Sequence, residues 1–182
     1  MSANFRTSTG DVITFELEGV EQVQAELDTL AADLKEQAEF EMCQRVGDSV
    51  RFWMQQNILS QGLLRSGDLF RSVFSTIMSN EEGTFVYVGP NTEDVKYAMI
   101  QDQGGFIYPG TLGYLLFKGD RGWRKIVRFR KDGTPGQPDH VTITAKPYIA
   151  PAFENHQQEI LDIMTQVLNE AIAEEIARSG AW

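Results

Sequence analysis

The sequence predicts an α+β fold in which a small antiparallel sheet packs against a long N-terminal helix and a C-terminal helix, with an extended β-arm. Three patterns in the 182 residues predict this fold. Apolar residues recur at spacings of three and four towards both ends of the chain, in 20–58 and 160–172. Two runs rich in β-branched and aromatic residues lie between them, and 104–136 holds half of the sixteen glycines. We therefore treat 1–182 as a single domain with an arm that projects at about 106–140.

The N-terminal part of the chain predicts one strand and one long helix. The stretch DVITFELEG, 11–19, is rich in β-branched and aromatic residues and ends at a glycine, which favours a strand. An apolar stripe then runs from Val20 to Trp53 at helical spacing. A single helix over 20–58 would be about 58 Å long at about 1.5 Å per residue, which is longer than a domain of this size needs. We expect it to bend near Gly47 or to protrude.

A short helix and a hairpin are predicted next. The stretch SGDLFRSVF, 66–74, offers Ser66 as an N-cap and Asp68 in the first turn, where the helix dipole favours an acid. The runs VFSTIMS and GTFVYVG, separated by three polar residues, are typical of the two strands of a hairpin.

The run YAMIQDQGG, 97–105, predicts a helical segment that stops at Gly104 and Gly105. Glycine adopts positive φ values that other residues avoid, so the pair can end a helix. Tyr97 is expected to pack inward, and 101–103 are expected to remain in solvent.

The glycine-rich arm is predicted to contain a basic strand, RKIVRFRK, 124–131. Its return strand is predicted in HVTITAK, 140–146, across a loop rich in glycine and proline. The last helix is predicted to carry Pro151 in its first turn and to end near Gly180.

Charge is distributed unevenly along the chain. The formal net charge is −10, yet 118–131 holds seven of the sixteen Lys and Arg residues and one acid. An acidic surface repels nucleic acid, and such asymmetry is typical of an interaction surface. Trp123 and Phe129, interleaved with arginines, could stack on bases. Because the same chain carries so many acids, we favour contacts between this segment and the acids of a neighbouring subunit.

No catalytic, metal or cofactor site is predicted, so we do not expect an enzyme. His140 and His156 are the two histidines, and neither has a second ligand at metal-binding spacing. Cys43 lies in the helical stripe, where a buried and unreactive thiol is the expected state. Asp94 and Asp102 flank Tyr97 and are expected to be solvated acids. The single cysteine and the absence of a signal-like or membrane-spanning stretch predict an intracellular protein with no membrane partner.

Three separated segments resemble, in order, the elements of one protein family. VGPNTEDVKYAMIQDQGG resembles its VG…YAxIxxxGG element, and TAKPYIAPAF resembles its PARPFL element. The family is the tail-completion or neck proteins of long-tailed bacteriophages, also described as virion morphogenesis proteins. The resemblance covers about residues 20–175 in element order, with specific letters only within 66–153. SGDLFRSV resembles the TGxLxxSI element through Ser66, Gly67, Leu69, Ser72 and Val73.

The resemblance implies a structural virion protein at the head–tail junction, which completes the tail end and joins the tail to the DNA-filled head. It implies a ring, for which we expect six copies, in contact with neighbouring neck and tail proteins. The protein would lie in the virion, and in the host cytoplasm during assembly. Two alternatives remain open: a tail terminator that caps the tail tube, and a nucleic-acid-binding module that uses the basic segment 118–131. The residues expected to contact a neighbouring subunit or partner are Tyr97, Gly104, Gly105, Arg121, Trp123, Arg124, Arg128, Phe129 and Arg130.

Acids on the terminal helices suggest how DNA could pass through such a ring. A negative wall disfavours phosphate contacts, so DNA would pass through the lumen without specific binding. The competing explanation is that these acids solvate the polar faces of amphipathic helices. The residues expected to face the channel are Glu21, Asp28, Glu39, Glu159 and Glu170.

Overall fold

A computed structural model describes residues 2–6, 12–16, 20–63, 67–80, 83–95, 97–108, 115–119, 122–126, 128–129, 135–136 and 140–180. The helices are α1 (Val20–Leu27), α2 (Ala32–Ser60), α3 (Asp68–Ser72), α4 (Ala98–Gln103), α5 (Ala150–Glu154) and α6 (Gln157–Ser179). The strands are β1 (Ser2–Arg6), β2 (Val12–Glu16), β3 (Val73–Asn80), β4 (Gly83–Pro90), β5 (Gly105–Ile107), β6 (Leu115–Gly119), β7 (Gly122–Ile126), β8 (Arg128–Phe129), β9 (Pro135–Gly136) and β10 (Val141–Ile143).

The chain forms two compact units. Unit 1 comprises Met1–Ala98 and Pro147–Trp182, and unit 2 comprises Met99–Lys146. The arm predicted at about 106–140 falls within unit 2, and the single-domain organisation stays a prediction. Among the described residues, no helix is long and apolar enough to cross a membrane.

Unit 1 is built around α2, whose apolar residues recur every three or four positions and form one buried stripe. This helix packs against β3, β4 and α6, and it also contacts α3 and α5. Each fully buried aliphatic side chain in such a core contributes about 1.5–3 kcal/mol. The predicted α+β fold is confirmed, with a small antiparallel sheet against a long N-terminal helix and a C-terminal helix. The buried residues of α2 are Leu34, Ala38, Met42, Cys43, Gly47, Val50, Met54 and Ile58.

The predicted hairpin is confirmed as the antiparallel pair β3–β4, with a register that runs from Val73 opposite Pro90 to Asn80 opposite Gly83. One face of this pair lies on α2 at Gly47. A Cβ atom at Gly47 would lie 2.6 Å from Val86 Cγ2, so a side chain there would require Val86 to shift.

The helix predicted over 20–58 is interrupted at 28–31, and α2 continues through Gly47 without a break. Backbone bonds tighten the end of α1, and the Thr29 hydroxyl donates to the Glu26 carbonyl at 2.7 Å. Such side-chain bonds compete with the helical ladder. Gly47 lies inside this helix, where its small size allows close packing against β3 and β4.

The C-terminal helix is likewise two helices. Pro151 lies in the first turn of α5 as predicted, and α6 ends at Gly180, which has a φ of 64°. The interruption at Asn155–His156 was not predicted. His156 lies in it and stacks on Trp53 of α2, with ring centroids 4.0 Å apart and planes 4° apart.

The remaining strands form pairs. The strand predicted in 11–19 is confirmed as β2, which pairs with β1.

The short helix predicted in 66–74 is confirmed as α3, but Gly67, with a φ of 77°, occupies its N-cap, and Ser66 lies outside the described residues.

The predicted partner of the basic strand is wrong. Residues 141–143 form β10, which pairs with β5 and not with the basic segment. The basic segment instead contributes β7, paired with β6, and β8, paired with β9. The short hairpins of the basic segment cost little loop-closure entropy and pair its backbone without 141–143.

Candidate interaction surfaces

The three segments that carry the family resemblance meet on the C-terminal half of α2. Gln55 Nε2 donates to the Phe70 carbonyl at 3.1 Å, and Asn57 Nδ2 donates to the Tyr148 carbonyl at 3.2 Å. Gln61 Nε2 donates to the carbonyl of residue 147. Amide side chains of one helix therefore satisfy backbone carbonyls of the first and third segments, which otherwise would be costly to bury.

The middle segment joins the same assembly. Asn91 N donates to the Ser72 carbonyl at 2.8 Å, and the Tyr148 hydroxyl donates to the Ala98 carbonyl at 3.2 Å. We call this assembly of 68–73, 88–98 and 147–153 on α2 the motif junction. Its buried members are Leu69, Ser72, Val73, Val88, Val95, Ala98, Tyr148, Ile149, Ala152 and Phe153. These residue types fill and connect a core, so the resemblance rests on residues that build the scaffold.

The double glycine ends α4 as predicted. Gly104 has a φ of 75° and Gly105 a φ of 147°. A Cβ atom at Gly104 would lie 2.9 Å from Ala145 N and 3.0 Å from Ile143 O. Within unit 2, the backbone that follows β10 thus passes close to the end of α4, and only glycine fits.

Two expectations for the run 97–105 are wrong. Tyr97 is 44% exposed and does not pack inward, whereas Ala98 is fully buried. Asp102, expected in solvent, is 6% exposed. A six-residue helix has fewer than two turns, so the segments that pack on it decide which of its side chains are buried. Side-chain polarity alone does not decide this. Asp94 is exposed as expected and accepts a hydrogen bond from Asn91.

Unit 2 presents a cluster of exposed aromatic rings on the β5–β10 pair. Phe106 is 53% exposed and Tyr108 is 66% exposed. The His140 ring meets the Phe106 ring edge-on, with centroids 4.7 Å apart, and lies 5.9 Å from the Tyr108 ring. We call Phe106, Tyr108 and His140 the aromatic cluster. A group of neighbouring aromatic rings exposed to solvent is typical of contact surfaces.

The predicted basic contacts lie beside this cluster in sequence. Arg121 and Arg130 lie outside the described residues. The structure describes only the backbone of Trp123 and Arg124 in β7 and of Arg128 and Phe129 in β8. Their role as contacts stays a prediction.

Two of the predicted channel acids have cationic partners in unit 1. Lys35 Nζ lies 2.5 Å from Asp28 Oδ1. Arg45 joins Glu41 and Glu170, with nitrogen–oxygen distances of 2.5 and 2.7 Å. The hydrogen bond from Lys35 lowers the pKa of Asp28. Both acids are partly neutralised, so each contributes less negative potential than its formal charge.

The other three differ in setting. Glu159 Oε1 lies 2.9 Å from Nδ1 of His156, the ring stacked on Trp53. Glu21 is exposed and Glu39 is half-buried. Their orientation to a channel stays a prediction.

Sequence reasoning missed the outer face of the β3–β4 pair. Phe74 is 37% exposed, Met78 is 51% exposed and Phe85 is 43% exposed, and the Phe74 and Tyr87 rings are 5.6 Å apart. Thr76 is exposed between them. Apolar residues occupy both faces of these strands, so composition alone could not show which face is exposed to solvent.

Reactive groups are sparse in the described part of the chain. No group of three His, Cys, Asp or Glu there could hold a metal ion. Cys43 is buried as predicted, and burial, together with the charge of Glu39, raises the pKa of its thiol to about 11. A neutral thiol is a poor nucleophile.

The chain matches no known family model, no curated protein and no solved structure.

Proposed function

We propose that this chain is a structural virion protein of a long-tailed bacteriophage, which acts at the head–tail junction, completes the tail end and joins the tail to the filled head. The observation that supports the proposal is the motif junction. The three segments that resemble the neck family are distant in sequence, yet α2 bonds to the backbone of the first and third, and the middle segment bonds to each of those two. They therefore act as one structural assembly, which agrees with a family pattern of packing residues.

Assembly is supported by the surfaces that the scaffold leaves exposed. The aromatic cluster of unit 2 and the outer face of β3–β4 both place rings in water. A net charge of −10 with one basic segment suits head-to-tail pairing of copies into a ring, for which we propose six copies. Acids on the terminal helices would line a lumen through which DNA slides without specific binding. We propose no catalytic activity.

The test is loss of the gene for this chain in the phage that encodes it. The proposal expects lysates with filled heads and complete tails that are not joined. Overlong tail tubes would support the alternative role of a tail terminator. Joined particles of normal appearance would overturn both.

A matched pair of point variants connects the phenotype to the surface. Tyr108→Ser removes one ring of the aromatic cluster, and Phe52→Ser removes a ring of similar exposure, 55%, from α2. Tyr108→Ser should reduce the yield of joined particles by about tenfold or more, as expected for an aromatic contact worth about 1.4 kcal/mol or more. Phe52→Ser should leave the yield unchanged. Equal yields from the two variants would contradict a contact role for the cluster.

A further inference from the structure

The outward edge of β3 is open in the described part of unit 1. The β3–β4 pair is a two-stranded sheet, and β1 lies close to β4. Asn91 N donates to the Ser72 carbonyl, so the backbone groups of Ser72 point towards β4. Successive residues of a strand point their backbone groups to opposite sides. Residues 74, 76, 78 and 80 therefore face β4, and 73, 75, 77 and 79 face the open edge. Because the sheet has two strands, the outward groups of Ser75, Ile77 and Ser79 make no ladder bond to a second strand among the described residues.

The edge carries none of the features that normally prevent strand addition. Its sequence, VFSTIMSN, contains no charged residue, no proline and no glycine, and it is eight residues long. Natural edge strands are usually short, charged or interrupted, because unpaired backbone groups form a template for another strand. Long neutral edges of this kind take up extended segments by β-augmentation.

The sequence of β3 is complementary to itself around Thr76. In an antiparallel pairing centred on that residue, Phe74 faces Met78 of the partner subunit on the outer face. Thr76 faces the partner's Thr76, and threonine pairs and aromatic–methionine contacts both stabilise adjacent strands. Val73 then faces the partner's Ser79, and Ser75 faces the partner's Ile77. In this register the outward backbone groups meet partners, and Phe74 and Met78 each gain an apolar cross-strand neighbour.

The charge of the β3 sequence permits a second copy at this edge. Two chains that each carry −10 repel one another, so their contact must be complementary in charge or neutral. The β3 edge is neutral along its whole length. We propose that β3 is an isologous docking site for β3 of a second copy, which joins two β3–β4 pairs into one four-stranded antiparallel sheet. The proposal depends on β3 alone, so it stands or falls separately from a role at the phage neck.

The first test uses charge at the two-fold axis. Thr76 is exposed on the outer face, so Thr76→Lys and Thr76→Glu leave the packing on α2 intact. Each substitution places like charges directly opposite one another, which should weaken self-association by roughly fivefold in sedimentation equilibrium. An equimolar mixture of the two variants should recover it, because lysine then faces glutamate. The control Gln44→Lys adds the same charge at an exposed position of α2 and should change nothing.

The second test fixes the register. Opposed residues that are not hydrogen-bonded have Cα atoms about 4.5 Å apart, within the range that a disulfide spans. Thr76→Cys should therefore give a disulfide-linked dimer under mild oxidation. Met78→Cys should not, because this register separates the two copies of residue 78 by about 13 Å along the strand. Cys43 is buried and does not compete. A wild-type chain that does not self-associate, a mixture that does not recover, or equal cross-linking of both cysteine variants would overturn the proposal.

Discussion

Replacement of Gly104 by alanine tests whether the close approach of two backbone segments in unit 2 requires glycine at this position. Gly104 has a φ of 75°, and an added Cβ atom would lie 2.9 Å from Ala145 N and 3.0 Å from Ile143 O. Both neighbours are backbone atoms, so neither can rotate away. A few residues further on, Lys146 N donates to the Gln101 carbonyl at 2.9 Å. The extra methyl group would have to push the two passing backbones apart and lengthen this bond.

The chain offers a matched control at Gly62. This glycine has a similar φ of 66°, but an added Cβ atom would meet nothing within 4 Å. A positive φ costs alanine about 1–2 kcal/mol at either position. Overpacking against backbone adds about 1–3 kcal/mol at Gly104 alone. We therefore expect Gly104→Ala to destabilise its unit by about 2–5 kcal/mol and Gly62→Ala to destabilise the protein by about 1–2 kcal/mol.

Hydrogen exchange separates the two effects. Gly104→Ala should increase amide exchange across 140–146, whereas Gly62→Ala should leave that segment protected. Asparagine tolerates a positive φ better than alanine, so Gly62→Asn should be nearly neutral while Gly104→Asn keeps the steric cost. If the two alanine variants lost the same stability and 140–146 stayed protected, the close approach of the backbones would not be the reason for glycine at 104.

Three further predictions concern unit 1. Gly47→Ala should lower the free energy of unfolding by about 1 kcal/mol, because overpacking against Val86 exceeds the gain in helix propensity; Val86→Ala should reduce this cost in a double-mutant cycle. Iodoacetamide should modify Cys43 far more slowly in the native protein at pH 8 than in urea. The thiol ionises at a higher pH in the native protein than in the unfolded chain, so the free energy of unfolding should fall as the pH rises from about 9 to about 11. Lys35→Gln should raise the pKa of Asp28 towards its ordinary value in an NMR titration, because the hydrogen bond that lowers this pKa is removed. In the wild-type chain, this bond stabilises the fold above the ordinary pKa of Asp28, and the stabilisation is lost as the pH falls through the lowered pKa.

Long periodic patterns in the sequence predicted the scaffold well. The apolar stripe of α2 extends over many turns, so its buried face does not depend on any single neighbour. The β3–β4 hairpin and the stop at Gly104 follow from local chemistry, since turn residues and positive φ values act within a few positions. These features were predicted because their causes lie close together in the chain.

Features that depend on distant partners, or on local bonds within a continuous apolar stripe, were not predicted. The break at Asp28–Ala31 depends on local capping bonds that compete weakly with a continuous apolar stripe. Pairing of β10 with β5 was missed because the basic segment offered a plausible partner nearby. The candidate surfaces were the hardest part, because exposure of a ring such as Phe106 is a property of what does not pack on it.

The exposed face of β3 shows how packing elsewhere produces a contact surface. The inner face of the hairpin meets α2 at Gly47, where a Cβ atom would also lie 3.3 Å from Ser75 Cβ. The inner face of β3 carries Val73, Ser75 and Ile77, so the alternation of the strand places Phe74 and Met78 on the outer face. Both side chains are more than a third exposed, and a cross-strand neighbour from a second copy would remove part of this apolar surface from water. The close helix–sheet contact that holds unit 1 together thus also places the apolar residues of β3 where a second strand can reach them.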